Sequence, residues 1–224
     1  MKKSLLSLLS LLIMLTAMSQ DPSPYFLGIF QENANITQNL VYGDGISFGI
    51  WNGLTANDSV DAFKGDTCLD LTHKDGTWNA IGITSQDPLD FSNYINGYLH
   101  LAMKIEATHQ DTFRIGFKDQ EGNEFAVFFY GSGNDPYDFE RDGQWHELNI
   151  PILEMWERDG WLPGTGHPAI EDLEDMRNPF IWNAQDVSVQ LDEIWWSEGD
   201  YSPGNEWQKD PPYFLGIFQE NANI

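Results

Sequence analysis

The sequence has 224 residues, with 35 acidic and 11 basic side chains and a formal net charge of −24 at pH 7. Binding to nucleic acid or to anionic lipid needs clustered lysine and arginine, so this charge excludes both as principal partners. Cys68 is the only cysteine, which excludes an internal disulfide. A core uses some of the nine tryptophans, and the surplus indicates aromatic surfaces that contact a ligand.

Residues 1–19 have the pattern of a secretory signal peptide. Lys2 and Lys3 form a positive start, an apolar stretch follows at residues 5–15, and Ala17 and Ser19 are the small residues that a signal peptidase reads. The stretch is too short to span a bilayer. We therefore predict secretion to the extracellular space or the periplasm, without membrane insertion. A buried N-terminal helix is the alternative.

Short runs of alternating apolar and polar residues follow between residues 38 and 197, separated by turn residues. Clear examples are residues 99–105, 113–117, 125–129 and 145–152, and a last run begins at residue 187. A period of two with one apolar face is typical of half-buried strands. Several such strands at short spacing predict an all-β antiparallel sandwich, in a single monomeric domain over residues 20–197. One short helix is predicted within residues 169–176.

The run pair 113–117 and 125–129 forms a hairpin whose register can be predicted. If Phe117 lies opposite Phe125, the same register puts Arg114 beside Phe128 and Gly116 beside Ala126 on the outer face. The small residues would then form a shallow floor next to Phe128, Tyr130 and the Arg114 guanidinium. Aromatic rings and a fixed set of donors suit a sugar ligand. Packing under a loop is the alternative for Phe128.

Residues 155–167 form a long loop rich in glycine and proline. It contains Trp156 and Trp161, which such a loop cannot easily bury. Loops on a rigid sandwich often carry recognition residues, so we predict that at least one of these tryptophans contacts a ligand. Folding down over the core is the alternative.

The thirteen residues PYFLGIFQENANI occur twice without a change, at residues 24–36 and 212–224. Residues 198–211 between the domain and the second copy are rich in proline, glycine and polar residues and are predicted to be a linker. The second copy is interpreted as the first strand of another module in a tandem array, where several weak sites gain avidity. A tail that folds back onto the first module is the alternative.

Four segments resemble galactose-binding-like jelly-roll modules that are appended to bacterial exo-β-glucosidases and other polysaccharide-degrading enzymes. They are GTWNAIGI at residues 76–83, residues 90–104 beginning DFSNY, residues 142–152 beginning DGQW, and residues 178–194 from NPFI to LDEI. The resemblance implies a concave sheet that binds polysaccharide, a β-glucan or another plant or algal glycan, with Trp78 near its rim. It also implies a packing role for Trp145.

The same resemblance implies a structural calcium ion. Its ligands would be Glu32 in the first strand and Asp192 in the last, with backbone carbonyls and a contribution from Asp66. Two carboxylates with carbonyls and water satisfy the six to eight oxygens that calcium takes. Solvated acids in an acidic chain are the alternative.

The histidines and acids of the sequence do not have the spacing of a catalytic site. The five histidines have no metal-ligand spacing. A retaining glycosidase needs two carboxylates about 5 Å apart, whereas Glu193 and Glu198 face opposite ways on a strand, and Glu171 and Glu174 fall on the predicted helix. We therefore predict a binding module rather than an enzyme. A ligand-free structural or adhesive module is the second hypothesis, and a hydrolase or lyase the third.

Three basic strand residues, Lys104, Arg114 and Lys118, share the outward parity in a chain with few bases. This pattern favours an anionic or sulfated glycan. Pairing of the two lysines with Glu106 and Glu124 is the alternative.

Overall fold

The computed structural model describes residues 26–30, 38–40, 45–52, 54–74 and 76–199. The predicted signal peptide, Glu32, the linker from residue 200 onward and the second copy of the repeat lie outside these residues. Within the described residues, no helix has the length and apolar character needed to span a membrane.

The described residues form fourteen strands in two sheets. The first sheet contains β1 (Phe26–Phe30), β2 (Gln38–Asn39), β4 (Thr55–Ser59), β5 (Cys68–Thr72), β7 (Tyr98–Lys104), β10 (His146–Pro151) and β14 (Val189–Ser197). Its central order is β10-β7-β14-β1-β2, and β5 joins β14 to β4. The second sheet contains β3 (Ile46–Trp51), β6 (Trp78–Ser85), β8 (Phe113–Asp119), β9 (Glu124–Phe129), β11 (Trp156–Asp159), β12 (Leu162–Pro163) and β13 (Met176–Gln185).

The second sheet has the order β12-β11-β9-β8-β13-β6-β3, and all its described pairs are antiparallel. In the first sheet β1 and β2 are the only described pair that is parallel. The predicted hairpin register is confirmed: Phe117 lies opposite Phe125, Arg114 opposite Phe128 and Gly116 opposite Ala126. A one-residue slip of one strand would turn its core side chains toward solvent, which is why the alternation determines the register.

The core lies between the two sheets. Trp182 of the second sheet and Trp196 of the first are both fully buried in it. The Trp196 indole donates a hydrogen bond to the backbone oxygen of Pro179 at 2.9 Å. Trp195, the neighbour of Trp196, points to the other face of its strand and stacks on His100, as the alternation predicts for adjacent residues.

The structure confirms the predicted helix but shows two paired strands in the predicted long loop. The helix α1 (Ile170–Glu174) lies within the predicted range and buries Leu173. The loop at residues 155–167 contains the short strands β11 and β12, which pair with each other and extend the second sheet beyond β9. The loop therefore forms a hairpin at the sheet edge instead of an irregular connection. Gly160, with a φ of 61°, lies at its turn.

His100 is buried on the outer face of the first sheet. Its Nδ1 lies 2.5 Å from Asn149 Oδ1 and its Nε2 lies 2.7 Å from Ser197 Oγ. A neutral ring that donates from Nδ1 and accepts at Nε2 satisfies both contacts. Burial lowers the pKa of His100 to about 4, although the hydrogen bond to Asn149 opposes this shift.

Stability is expected to fall by about 2 kcal/mol between pH 7 and pH 5 because of His100. Its unfolded pKa is about 6.5, so the unfolded state binds more protons between that pH and about pH 4. Urea unfolding at both pH values measures the effect. His100→Gln should reduce the pH difference by this amount. An undiminished difference in His100→Gln would contradict the assignment.

Candidate functional site

The outer face of the second sheet has a floor of small residues. One row of facing positions crosses six strands and consists of Gly49, Gly82, Ile181, Gly116, Ala126 and Trp156. Along β6, β8, β9 and β13 these positions alternate with core residues and therefore point away from the core. A Cβ atom at Gly116 would lie 1.8 Å from the backbone oxygen of Phe125, so the strands leave no room for a larger residue there.

Trp51 lies flat on one end of this floor. A Cβ atom at Gly49 would lie 2.7 Å from Trp51 Cζ2, and one at Gly82 would lie 3.1 Å from Trp51 Cη2. The indole is nevertheless 39% exposed. Trp51 was not among the site residues predicted from the sequence. The sequence does contain a signal for this contact, namely two glycines at outward-facing strand positions and a tryptophan at the end of a strand.

Arg114 occupies the middle of the same face, but it is only 3% exposed. Its Nε donates to Glu124 Oε1 at 2.7 Å, and its Cζ lies 4.6 Å from the centre of the Trp161 ring. Arg158 Nε contacts the other oxygen of Glu124 at 3.1 Å. Burial lowers the pKa of Arg114, and Glu124 opposes this shift.

The expected open floor around Arg114 is therefore covered by the β11–β12 hairpin. Trp161 is 45% exposed while the Arg114 guanidinium lies against its ring. A cation–π contact of this kind restrains a ring that a short exposed hairpin would otherwise leave free to move. Arg114 therefore contacts the Trp161 ring from the side of the sheet. The sequence had instead predicted that Arg114 contacts the ligand directly.

A cleft of about 530 Å³ opens beside the hairpin. Phe128 and Tyr130 line it with nearly parallel rings, 6.4 Å apart at an angle of 15°. Trp156 lies on the opposite side with its ring 4.0 Å from that of His167. The remaining polar lining includes Tyr137, which donates its hydroxyl to Glu154 Oε2 at 2.9 Å. The cleft thus combines flat apolar rings with a few hydrogen-bonding groups at its edge.

Trp78 lies at the start of β6 on the same face. Its Nε1 donates to Asn183 Oδ1 at 2.5 Å, and Asn183 lies opposite Arg114 in the neighbouring strand. The structure therefore brings Trp78, Arg114, Phe128, Tyr130, Trp156 and Trp161 onto one sheet face. Trp145 lies elsewhere, partly buried against Phe63 with its Nε1 donating to the backbone oxygen of Asp61.

The three predicted calcium ligands are only partly described. Asp192 is buried, and its carboxylate accepts the backbone N–H groups of Phe63, Lys64 and Glu193 at 2.8–3.1 Å. Asp66 is exposed. The described part of the chain has no group of three or more His, Cys, Asp or Glu side chains that could hold a metal ion. These residues alone do not form a calcium site, and the prediction depends on Glu32.

Lys104 does not lie on a common face with Arg114 and Lys118. Lys104 belongs to the first sheet and forms an ion pair with Asp61 at 2.5 Å. Only Arg114 and Lys118 are on the second sheet, and Glu124 pairs with Arg114 and Arg158. The alternating position of a residue along its strand shows whether the side chain points away from the core. It does not show to which sheet the strand belongs, and the prediction for Lys104 was therefore wrong.

No protein-family model matches the chain, and no curated protein matches its sequence. Among solved structures, the chain is similar to part of an exo-β-agarase, with a TM-score of 0.51 and 16% identity over 76% of this chain and 24% of that one. It is also similar to part of an exo-1,3/1,4-β-glucanase from a Pseudoalteromonas species, with a TM-score of 0.50 and 13% identity over 69% of this chain and 19% of that one.

A third similar structure is a family 11 carbohydrate-binding module from Clostridium thermocellum, solved in complex with a β-1,3-1,4-mixed-linked tetrasaccharide. Its TM-score is 0.46, with 12% identity over 71% of this chain and 92% of that one. The two TM-scores of 0.50 and 0.51 show a shared fold. The predicted fold is therefore confirmed, and the chain is an antiparallel β-sandwich of the jelly-roll type.

Proposed function

We propose that this protein is a secreted, non-catalytic module that binds polysaccharide on the outer face of its second sheet. One observation carries the proposal. The exposed tryptophan and tyrosine side chains among the described residues are Trp51, Tyr130, Trp156 and Trp161, and all four lie on this one face. Exposed apolar surface is costly in water, and its concentration on one face is typical of a binding site.

The chemistry of this face suits a sugar chain. Aromatic rings offer flat apolar surfaces to the C–H faces of pyranose rings, and the hydroxyl of Tyr130 can hydrogen-bond to sugar hydroxyls. Trp161 is restrained by Arg114, and Trp156 by His167. Rings that are held in place before binding lose little conformational entropy on contact with ligand. The rings spread over several strands, which favours an oligosaccharide chain over a single sugar.

The arrangement of acids supports binding without catalysis. Hydrolysis of a glycosidic bond usually needs two carboxyl groups that flank it. Among the described residues that line the cleft, Glu154 is the only acid, and Tyr137 donates a hydrogen bond to it. Glu193 forms an ion pair with Lys64 away from this face. Incubation with the bound polysaccharide should therefore release no reducing ends and no unsaturated products.

Affinity gel electrophoresis tests the binding proposal. Since an exo-agarase and an exo-glucanase contain this fold, agarose, laminarin and lichenan are suitable first probes. Retardation by at least one of them is expected, and it should be lost in Trp161→Ala. The absence of retardation by any polysaccharide, in a folded protein, would refute the proposal and favour a ligand-free structural module.

Calcium is proposed to stabilise the fold through Glu32 and Asp192. At a calcium concentration of about 100 times Kd the gain is about 2.7 kcal/mol, which raises Tm by about 5–10 °C for a domain of this size. Thermal unfolding in CaCl2 and in EDTA measures this difference, with MgCl2 as control. Glu32→Gln should abolish it, and Asp66→Asn should reduce it. Equal Tm values in CaCl2 and EDTA for the unmodified protein would exclude the site.

A further inference from the structure

Positive charge is concentrated on the proposed binding face of an otherwise acidic protein. The chain has 35 acidic and only 11 basic residues. Arg114 and Arg158 both contact Glu124 on the outer face of the second sheet, so two positive charges share one carboxylate. Lys118 lies opposite Glu124 in the β8–β9 pair and points the same way.

Lys118 and Arg177 have no carboxylate partner among the described residues. Neither side chain forms an ion pair within the part of the chain that the structure describes. Arg177 is exposed and lies where the β8–β13 pairing shifts register, between Met176 and Asn178. Asn178 is the residue that faces Lys118. Lys118 and Arg177 therefore belong to adjacent strands at the same end of the second sheet. Among the described residues, Glu124 is the one carboxylate that forms an ion pair with any of Arg114, Arg158, Lys118 and Arg177.

A second cleft of about 540 Å³ lies beside Arg177 at this end of the sheet. Its polar lining consists of Ser47, Thr84, Ser85, Gln86, Gln120 and Arg177, with no acidic residue among the described ones. Gln120 Nε2 is buried without a hydrogen-bond partner in the described structure. Thr84 Oγ1 accepts from Asn178 Nδ2 at 2.7 Å, so its own proton remains available to donate. A cleft with several available donors and no carboxylate suits a ligand group that only accepts hydrogen bonds and carries negative charge.

We propose that the bound polysaccharide is anionic, that Arg177 contacts its sulfate-ester or carboxylate groups in this second cleft, and that Lys118 on the adjacent strand adds positive charge beside them. The inference rests on the proposed polysaccharide binding and adds the charge of the ligand. Thr84, in the second cleft, lies four residues along β6 from Ala80, a distance of about 13 Å. The strand β9, which lines the first cleft, lies three strand spacings from β6, a distance of about 14 Å. The two clefts are therefore close enough for one chain of several sugars to reach both. Repulsion from the acidic remainder of the surface would direct such a chain to this face.

The test compares three forms of each polysaccharide backbone. Agarose, laminarin and lichenan are used in the neutral form, after chemical sulfation, and after oxidation of the primary hydroxyls to carboxylates. Titration calorimetry at low and high ionic strength gives the ratio of charged-form to neutral-form affinity. We expect a ratio of at least about ten at low salt that falls as salt is added, because salt screens exposed charges. The preferred charged form identifies sulfate or carboxylate as the ligand group.

Single-charge variants locate the effect. Arg177→Gln and Lys118→Gln should each lower the affinity ratio by about threefold to fivefold, the range for a partly exposed charged hydrogen bond. Lys104→Gln removes the same charge from the opposite sheet and should leave the ratio unchanged. Equal affinity for neutral and charged forms, or an equal effect of Lys104→Gln, would overturn the inference while leaving polysaccharide binding intact. Failure of all forms to bind would instead remove the proposed function itself.

Discussion

Replacing Glu124 with glutamine is expected to destabilise the protein by about 3–5 kcal/mol, the cost of leaving a buried charge unpaired. The Arg114 side chain is 4% exposed and that of Glu124 is 8% exposed, so water cannot replace the lost carboxylate. Glutamine retains the shape of the side chain, which separates the loss of charge from the creation of a cavity. Urea unfolding at pH 7 measures the change.

A double variant provides the control for this prediction. Arg114→Met in the Glu124→Gln background removes the unpaired guanidinium and should recover most of the lost stability, because an apolar replacement of a buried pair is often nearly neutral. It should not restore the position of Trp161, since the guanidinium beneath the ring is gone. A loss below about 1 kcal/mol in Glu124→Gln would show that the pair is solvated in solution.

The double variant Trp156→Ala/Trp161→Ala is expected to lower polysaccharide affinity at least about 100-fold. Buried aromatic contacts at the centre of an interface are each worth about 2 kcal/mol or more, and every 1.4 kcal/mol changes Kd about tenfold. The two rings are 39% and 45% exposed without ligand, so their removal should cost little stability. Titration calorimetry with the polysaccharide that retards the unmodified protein measures the change.

Leu162→Ala is the matched control for the tryptophan variants. Leu162 lies on the same hairpin and is 65% exposed, but it has no flat ring to offer a sugar. Its replacement should change affinity by less than about threefold. Full binding by the double tryptophan variant would place the site elsewhere on the sandwich, whereas equal losses in the control would indicate that the hairpin itself had been disrupted.

Secondary structure was largely predictable because the strands alternate cleanly. In β8 and β9 one face is aromatic or branched and the other contains Arg114, Gly116 and Ala126, so only one register buries the apolar face. The helix α1, predicted within residues 169–176, is found at Ile170–Glu174. The opposite directions of Trp195 and Trp196 followed from the same period of two.

The candidate site was predictable only in part. Trp156 and Trp161 were selected because their loop could not easily bury them, and Tyr130 because the hairpin register puts it on the outer face. All three are exposed. Their roles as ligand contacts stay predictions. Trp51 was missed because the contact of its ring with Gly82 joins β3 and β6, which are not neighbours in the sequence. Arg114 was assigned to the correct face, but its cover by Trp161 depends on how a separate hairpin folds.

The sequence by itself determined the fold class, the strand pairs that are close along the chain and the direction of each side chain relative to the core. These properties depend on local periodicity, which is contained in any short segment. The tertiary structure alone decided which outward positions share a face, so that Lys104 was separated from Lys118 and Trp51 was placed with Tyr130. The physical reason is that the order of strands in a sheet is set by packing between segments distant in sequence, and alternation within a strand carries no information about its neighbours.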